Sequence, residues 1–397
     1  MKRKRIFIAL VVILFISASV AVAFSYDELV VKKTFELKEY TTVSGKKIAP
    51  VRIGYETYGK LSPKKDNVIL VCHHFSGTSH AAGKYAASEK LPGYWDTVIG
   101  PGKPFDTDKY FIISTDTLCN INTKDPMVTT TGPASINPAT GKPYGMSFPV
   151  ITIRDMVRIQ YELIKSLGIN KLKCVTGASM GGIQTLEWAT SYPDVVEKAI
   201  PVIGTPKAYA WTVAWVKMWA DAVMLDPKWN NGDYYGKEEP VDGVAYSLKA
   251  ITLIARSPWW AESAFNRKPA DPKKDPAAAM NNKYLIEDYL DKAGAGRAKS
   301  ADGNSIIYLC KANALHDIGF GYGSYEDALK RIKAKVLTLP SKTDILIYPY
   351  NSAEFAEALN KAGGDASLFE IPTFEGHIGG ISDIQKAGST IKAFLEK

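Results

Sequence analysis

LKCVTGASMGGIQTLEWA, residues 172–189, runs an apolar segment into Gly177-Ala178-Ser179-Met180-Gly181 and continues at once in helix-forming residues. A serine with glycine two positions before and two after, set between a strand and a helix, is the pattern of a nucleophile elbow. Such a turn forces the serine into a strained backbone conformation, and only glycines tolerate the crowding on either side. The hydroxyl is then lifted above the sheet edge, beside the N-terminus of the next helix, where developing negative charge is favoured. The five-residue spacing alone is a weak signal. The strand before it and the helix after it give it force.

Outward from this stretch, short apolar runs alternate with helical patterns. NVILVCHH (67–74) and KYFIISTDTL (109–118) read as buried strands bounded by polar turns. Met156, Ile159, Leu163 and Leu167 predict a helix over 154–167, stopped by Gly168. VEKAIPVIG (196–204), KVLTLPS (335–341) and ASLFEIP (366–372) read as further strands, with helices near 352–362 and at the C-terminus, where Ile384, Ile391 and Phe394 share one side. This alternation builds an α/β fold, a mostly parallel sheet with helices on both faces.

Residues 205–317 interrupt the pattern. Trp211, Trp215 and Trp219 fall four apart on one helix, and NRKPADPKKDPAAA (266–279) is a polar, proline-broken loop. A helical insertion between two strands reads as a lid over the site, dividing a core of residues 24–204 and 318–397. The tryptophan stripe reads as ordinary helix packing, with a substrate tunnel or a dimer surface as alternatives.

Residues 1–23 carry four basic side chains, Lys2 to Arg5, then an apolar run closed by Ala21-Val22-Ala23. That is the layout of a cleaved signal peptide, and it predicts an exported, periplasmic or secreted protein; an uncleaved membrane anchor is the alternative. Loss of the four cations takes the formal net charge from +8 to +4, too mild and too scattered for a nucleic-acid or anionic-membrane surface. The cysteines, Cys72, Cys119, Cys174 and Cys310, form no disulfide framework and no metal-ligand spacing. The reading implies no metal and no organic cofactor.

A serine hydroxyl needs a base to take its proton. The chain has five histidines, and the order serine, acid, histidine leaves His316 and His377 downstream. His377 sits in the glycine-rich turn EGHIGG just past a predicted strand, whereas His316 sits in the helix-like IIYLCKANALHD. The loop position suits a catalytic base, so His377 is the candidate. Asp344, closing KVLTLPSKTD, is the candidate for orienting its imidazole. The amide N–H groups of Met180, directly after the nucleophile, and Phe75, in VCHHFSG, are the candidate oxyanion donors. His73 and His74 are taken as structural.

SINPATGKPYGMSFPVITIRDMVRIQ (135–160), GASMGGIQTLEWA, GYWDTVIGPGKPFDTDKYF (93–111), LDPKWNNGDYY (225–235), NSIIYLCKANALHD (304–317) and SKTDILIYP (341–349) together resemble the homoserine O-acetyltransferase family of the α/β-hydrolase fold. The resemblance spans nearly the whole chain beyond residue 23. It implies the same Ser179, Asp344 and His377, a helical lid, a homodimer packed through that lid, and ping-pong transfer from an acyl-CoA to the homoserine hydroxyl. Three departures accompany it. Ile378 follows the histidine where the family carries Asp; Val216 and Ala220 occupy positions where it carries Asn and Arg; NINTKDPMVTTTGP (120–133) replaces a glycine-rich run. An apolar pocket on an exported chain predicts a serine ester hydrolase or acyltransferase acting on a small-molecule apolar ester. The alternatives are a genuine homoserine O-acetyltransferase, with acyl-CoA as co-substrate, and a non-catalytic binding protein on the same fold.

Overall fold

The computed structural model describes residues 29–397; the expected signal segment, 1–23, lies outside them. Eight strands form one sheet: β1 (Lys33–Leu37), β2 (Val51–Tyr58), β3 (Val68–Cys72), β4 (Phe111–Thr115), β5 (Cys174–Ala178), β6 (Lys198–Val202), β7 (Lys335–Thr338) and β8 (Asp365–Leu368). Their spatial order is β1-β2-β4-β3-β5-β6-β7-β8. Strand β2 runs antiparallel to β1 and β4, and the other pairs are parallel.

The central strands are apolar on both faces because both faces are covered. Successive residues of β3 alternate between two cores. Val68, Leu70 and Cys72 join the cluster that also contains Met156, Ile159, Ile183 and Leu186 from α1 (Ile153–Ser166) and α2 (Met180–Ser191). Ile69 and Val71 join the opposite cluster with Trp95, Phe105 and Ile391.

Between β6 and β7 lie α3 (Ala210–Met224), α4 (Val241–Ile254), α5 (Pro258–Ala264), α6 (Leu285–Ala298), α7 (Gly303–Ala314) and α8 (Tyr325–Arg331). Helices α3, α4, α6 and α7 pack mainly on one another, whereas α8 packs on α2 and on α9 (Pro349–Lys361). A final helix, α10 (Gly388–Glu396), lies against the second core through Ile391 and Leu395.

The observed strands are shorter than the apolar runs that announce them, because the flanking residues turn into loops once past the sheet edge. Strands β1 and β2 carry no signal of the buried-strand kind. Residues of β1 are exposed or half-buried, as suits an edge. His316 lies just past the end of α7 rather than inside it, buried, with Nε2 3.2 Å from the Thr205 carbonyl oxygen. The four cysteines are buried and unpaired.

Burial drives the His316 pKa down to about 3, so the folded protein holds the ring neutral. The unfolded chain takes up that proton below about pH 6.5, the ordinary histidine value. Stability is therefore complete above pH 6.5 and is lost as pH falls toward the folded-state value. The expected loss is about 2 kcal/mol from this one ring between pH 6.5 and 5. Urea unfolding of the parent and of His316→Gln over that range checks it: the variant should lose less on acidification, and equal losses would remove His316 from the account.

Candidate active site

Strand β5 pairs with β3 and β6 so that Gly177 faces Cys72 on one side and Pro201 on the other. The chain leaves the sheet at that level and turns directly into α2. Ser179 takes the corner at φ 57°, ψ −117°, a conformation costing about 1–3 kcal/mol for a non-glycine residue. Hydrogen bonds from Ser179 N to the Val202 carbonyl and from Ile183 N to the Ser179 carbonyl, both 2.9 Å, hold the turn. The glycines are required by approach rather than by dihedral: a Cβ on Gly181 would stand 2.0 Å from the Cys72 carbonyl oxygen, and one on Gly177 2.3 Å from the same atom.

The loops after β7 and β8 bring the other two side chains. Asp344 is buried, with Oδ1 accepting from Leu346 N at 2.8 Å and Ile347 N at 2.9 Å. Its Oδ2 is 2.6 Å from His377 Nδ1. On the other side of the ring, His377 Nε2 is 2.7 Å from Ser179 Oγ. The three side chains expected from the sequence thus meet in one line, across 198 residues of chain between serine and histidine. With Nδ1–H donated to the carboxylate, Nε2 is free to accept the serine proton.

Of the two expected oxyanion donors, Met180 adjoins Ser179 in the chain and Phe75 lines the same cavity as the serine. Met180 opens α2 directly after the serine, and Phe75 follows the end of β3, beside His73 and His74. His73 is tied to its own loop, Nδ1 2.7 Å from the His74 carbonyl and Nε2 3.3 Å from Asn120 Nδ2. His74 lines the cavity, and burial, then the charges of His73, Arg297 and His377, push its pKa down to about 3. A ring held neutral at that depth takes no proton in the working range.

Above the serine is a cavity of about 330 Å³. Ser179 and His377 form part of its floor. Ile183, Val216, Trp219, Ile251, Leu346, Ile347 and Ile378 make much of the wall apolar. Of the tryptophan stripe, Trp219 is buried against Phe75 and lines this cavity, while Trp211 is exposed; helix packing and cavity wall divide the stripe between them. Val216 lines the cavity and Ala220 does not.

The loop carrying His377 is fastened to the turn between α4 and α5. Ile378 N donates to the Ala255 carbonyl at 2.9 Å, Ser257 Oγ to the Phe374 carbonyl, and Arg256 pairs with Glu375. Sequence reasoning missed these clamps and also missed Arg297, at the end of α6, which lines the cavity. A basic residue in a last helical turn reads as an ordinary partner of the helix dipole, so nothing local marks it. Among the described residues no cluster of metal-ligating side chains occurs and no helix is long and apolar enough to cross a membrane.

A profile of the alpha/beta hydrolase fold matches residues 67–362. The chain is 39% identical to the homoserine O-acetyltransferase of Carboxydothermus hydrogenoformans, over 93% of this chain and 96% of that one. The crystal structure of homoserine O-acetyltransferase from Bacillus anthracis superposes with a TM-score of 0.89 at 41% identity, covering 93% of this chain and 98% of that chain. The crystal structure of esterase E22 superposes with a TM-score of 0.88 at 43% identity, covering 92% and 100%.

Proposed function

We infer that this chain, which belongs to the homoserine O-acetyltransferase family on the alpha/beta hydrolase fold, transfers an acyl group through an acyl-Ser179 intermediate to a small acceptor. The observation that carries this is the line from Asp344 through His377 to Ser179, with hydrogen-bonding distances on both sides of one imidazole. His377 Nε2 takes the hydroxyl proton as Ser179 Oγ attacks the donor carbonyl carbon. The Phe75 and Met180 N–H groups receive the oxyanion. The proton then goes from His377 to the leaving group, and the acceptor repeats the sequence in reverse, giving its own proton to His377 as it attacks the acyl-enzyme.

Homoserine as acceptor and acetyl-CoA as donor is the reading its relatives support best, ahead of the exported ester hydrolase that the sequence put first. The hydrolase is kept as a second reading for a specific reason: Ile378 and Val216, at positions where the resemblance implies polar side chains, lie on the cavity wall, and an apolar wall suits a neutral ester. Export through residues 1–23 goes with the second reading, and a homodimer packed through the lid, whose surface exposes Trp211, Met218 and Leu253, goes with either.

The test is a side-by-side assay of the chain without residues 1–23. Acetyl-CoA with L-homoserine is followed by release of free CoA and the mass of O-acetylhomoserine, and p-nitrophenyl acetate is followed in water alone. Acetylated homoserine supports the first reading. Ester turnover with no transfer to homoserine supports the second. Inactivity toward both would overturn acyl transfer at this serine.

A further inference from the structure

We propose that Arg297 is an anion anchor built into the acyl-transfer cavity, and that the small molecule bound beside Ser179 carries a carboxylate. This deepens the proposed function and rests on it, because it concerns the same cavity.

The guanidinium has two partners, both through one nitrogen: Nη1 donates to Thr252 Oγ1 at 2.8 Å and to the Leu248 carbonyl at 3.2 Å, both on α4. Nε and Nη2 hold three of the five N–H donors and make no hydrogen bond to any described residue. Among the described residues no carboxylate pairs with this arginine. The second arginine of the cavity, Arg256, differs in this respect, because Glu375 neutralises it.

Among the described residues no aspartate or glutamate lines the cavity. The site therefore holds one cation without a counterion, surrounded by apolar wall. Burial already disfavours its charge, yet a guanidinium stays protonated. Such a charge is costly unless an anion reaches it. A planar fork with an edge to spare suits a carboxylate, which it can bind through two parallel N–H···O bonds. The same inventory gives the selectivity. A carboxylate gains a partner here, whereas an ammonium group on the same molecule finds no acid in the lining, so the anion rather than the zwitterion is recognised.

Arg297 also bridges α6 to α4, and a strut would keep those two bonds without any ligand. The experiment separates the roles. Ser179→Ala protein, which binds without turning over, is titrated calorimetrically with 4-hydroxybutyrate and with 1,4-butanediol, which has a second hydroxymethyl in place of the carboxylate. The carboxylate should bind at least tenfold tighter. Adding Arg297→Met should abolish that preference, and Arg297→Lys should restore part of it. L-Homoserine should bind no more than threefold tighter than 4-hydroxybutyrate.

A parent preference that survives in Arg297→Met, or no parent preference for the carboxylate, overturns the anchor and leaves a strut. Homoserine binding tenfold or more above 4-hydroxybutyrate overturns the claimed indifference to the ammonium. Because these are binding ratios within each protein, they stand apart from turnover: a failure of the acyl-transfer assays with the ratios intact would sink the proposed reaction and leave the anchor in place.

Discussion

Ser179→Ala is expected to lower acyl transfer, from whichever donor the enzyme accepts, by about 10⁴- to 10⁶-fold. The reason is that the oxygen removed is the only atom that forms the covalent bond. His377 keeps its hydrogen bond to Asp344 at 2.6 Å and loses only its partner on Nε2. Mass spectrometry after treatment with a fluorophosphonate should find one adduct, on the peptide containing residue 179, in the parent and none in the variant. A variant that keeps more than about 1% of parental turnover would move the nucleophile elsewhere. Folding should be little disturbed, because alanine at φ 57° suffers the same crowding at Cβ as the serine it replaces.

Gly181→Ala is expected to act on stability instead. Its Cβ would stand 2.0 Å from the Cys72 carbonyl oxygen and 2.8 Å from the carbon behind it. Those atoms belong to β3, which is hydrogen-bonded on both edges, so neither partner can retreat as a flexible side chain would. Either α2 shifts along its axis or the central ladder bends. A loss of at least about 3 kcal/mol follows, read as a lower urea midpoint with unchanged slope. Gly296→Ala makes a clean control. That glycine sits in α6 with no atom from outside its own turn of helix within 4 Å of the added carbon, and the substitution should stabilise by up to about 1 kcal/mol through helix propensity. If both variants unfold alike, the steric account of the elbow is wrong.

The elbow was readable because its constraint is local. A serine that must point out of a sharp turn, next to a carbonyl that excludes any Cβ, writes glycines into fixed positions on either side. The histidine and the acid were readable for a related reason: each lies in a loop at the end of a strand, and the chain offers few histidines. The central strands were visible as unbroken apolar runs. Strand β1 escaped notice because it lies at the sheet edge with residues exposed or half-buried, and β2, though inside the sheet, breaks its apolar run with Arg52, Glu56 and Thr57.

Arg297 was illegible for a different reason. Its meaning depends on what is missing around it, a carboxylate within reach, and absence of a partner is a property of packing among α4, α6 and the cavity. The same holds for the clamps on residues 374–378, which join segments more than a hundred positions apart. The tryptophan stripe is intermediate: the spacing placed three indoles on one helix, but only contact with Phe75 separates the one that walls the cavity from the one left at the surface.

Those clamps have a mechanical consequence. Through Ala255, Arg256 and Ser257 the roof of the chamber and the carrier of the proton form one solid piece, while the hydroxyl it serves is planted in the floor. A substitution that loosens this seam therefore slackens the support of the imidazole as well as that of the helices above it.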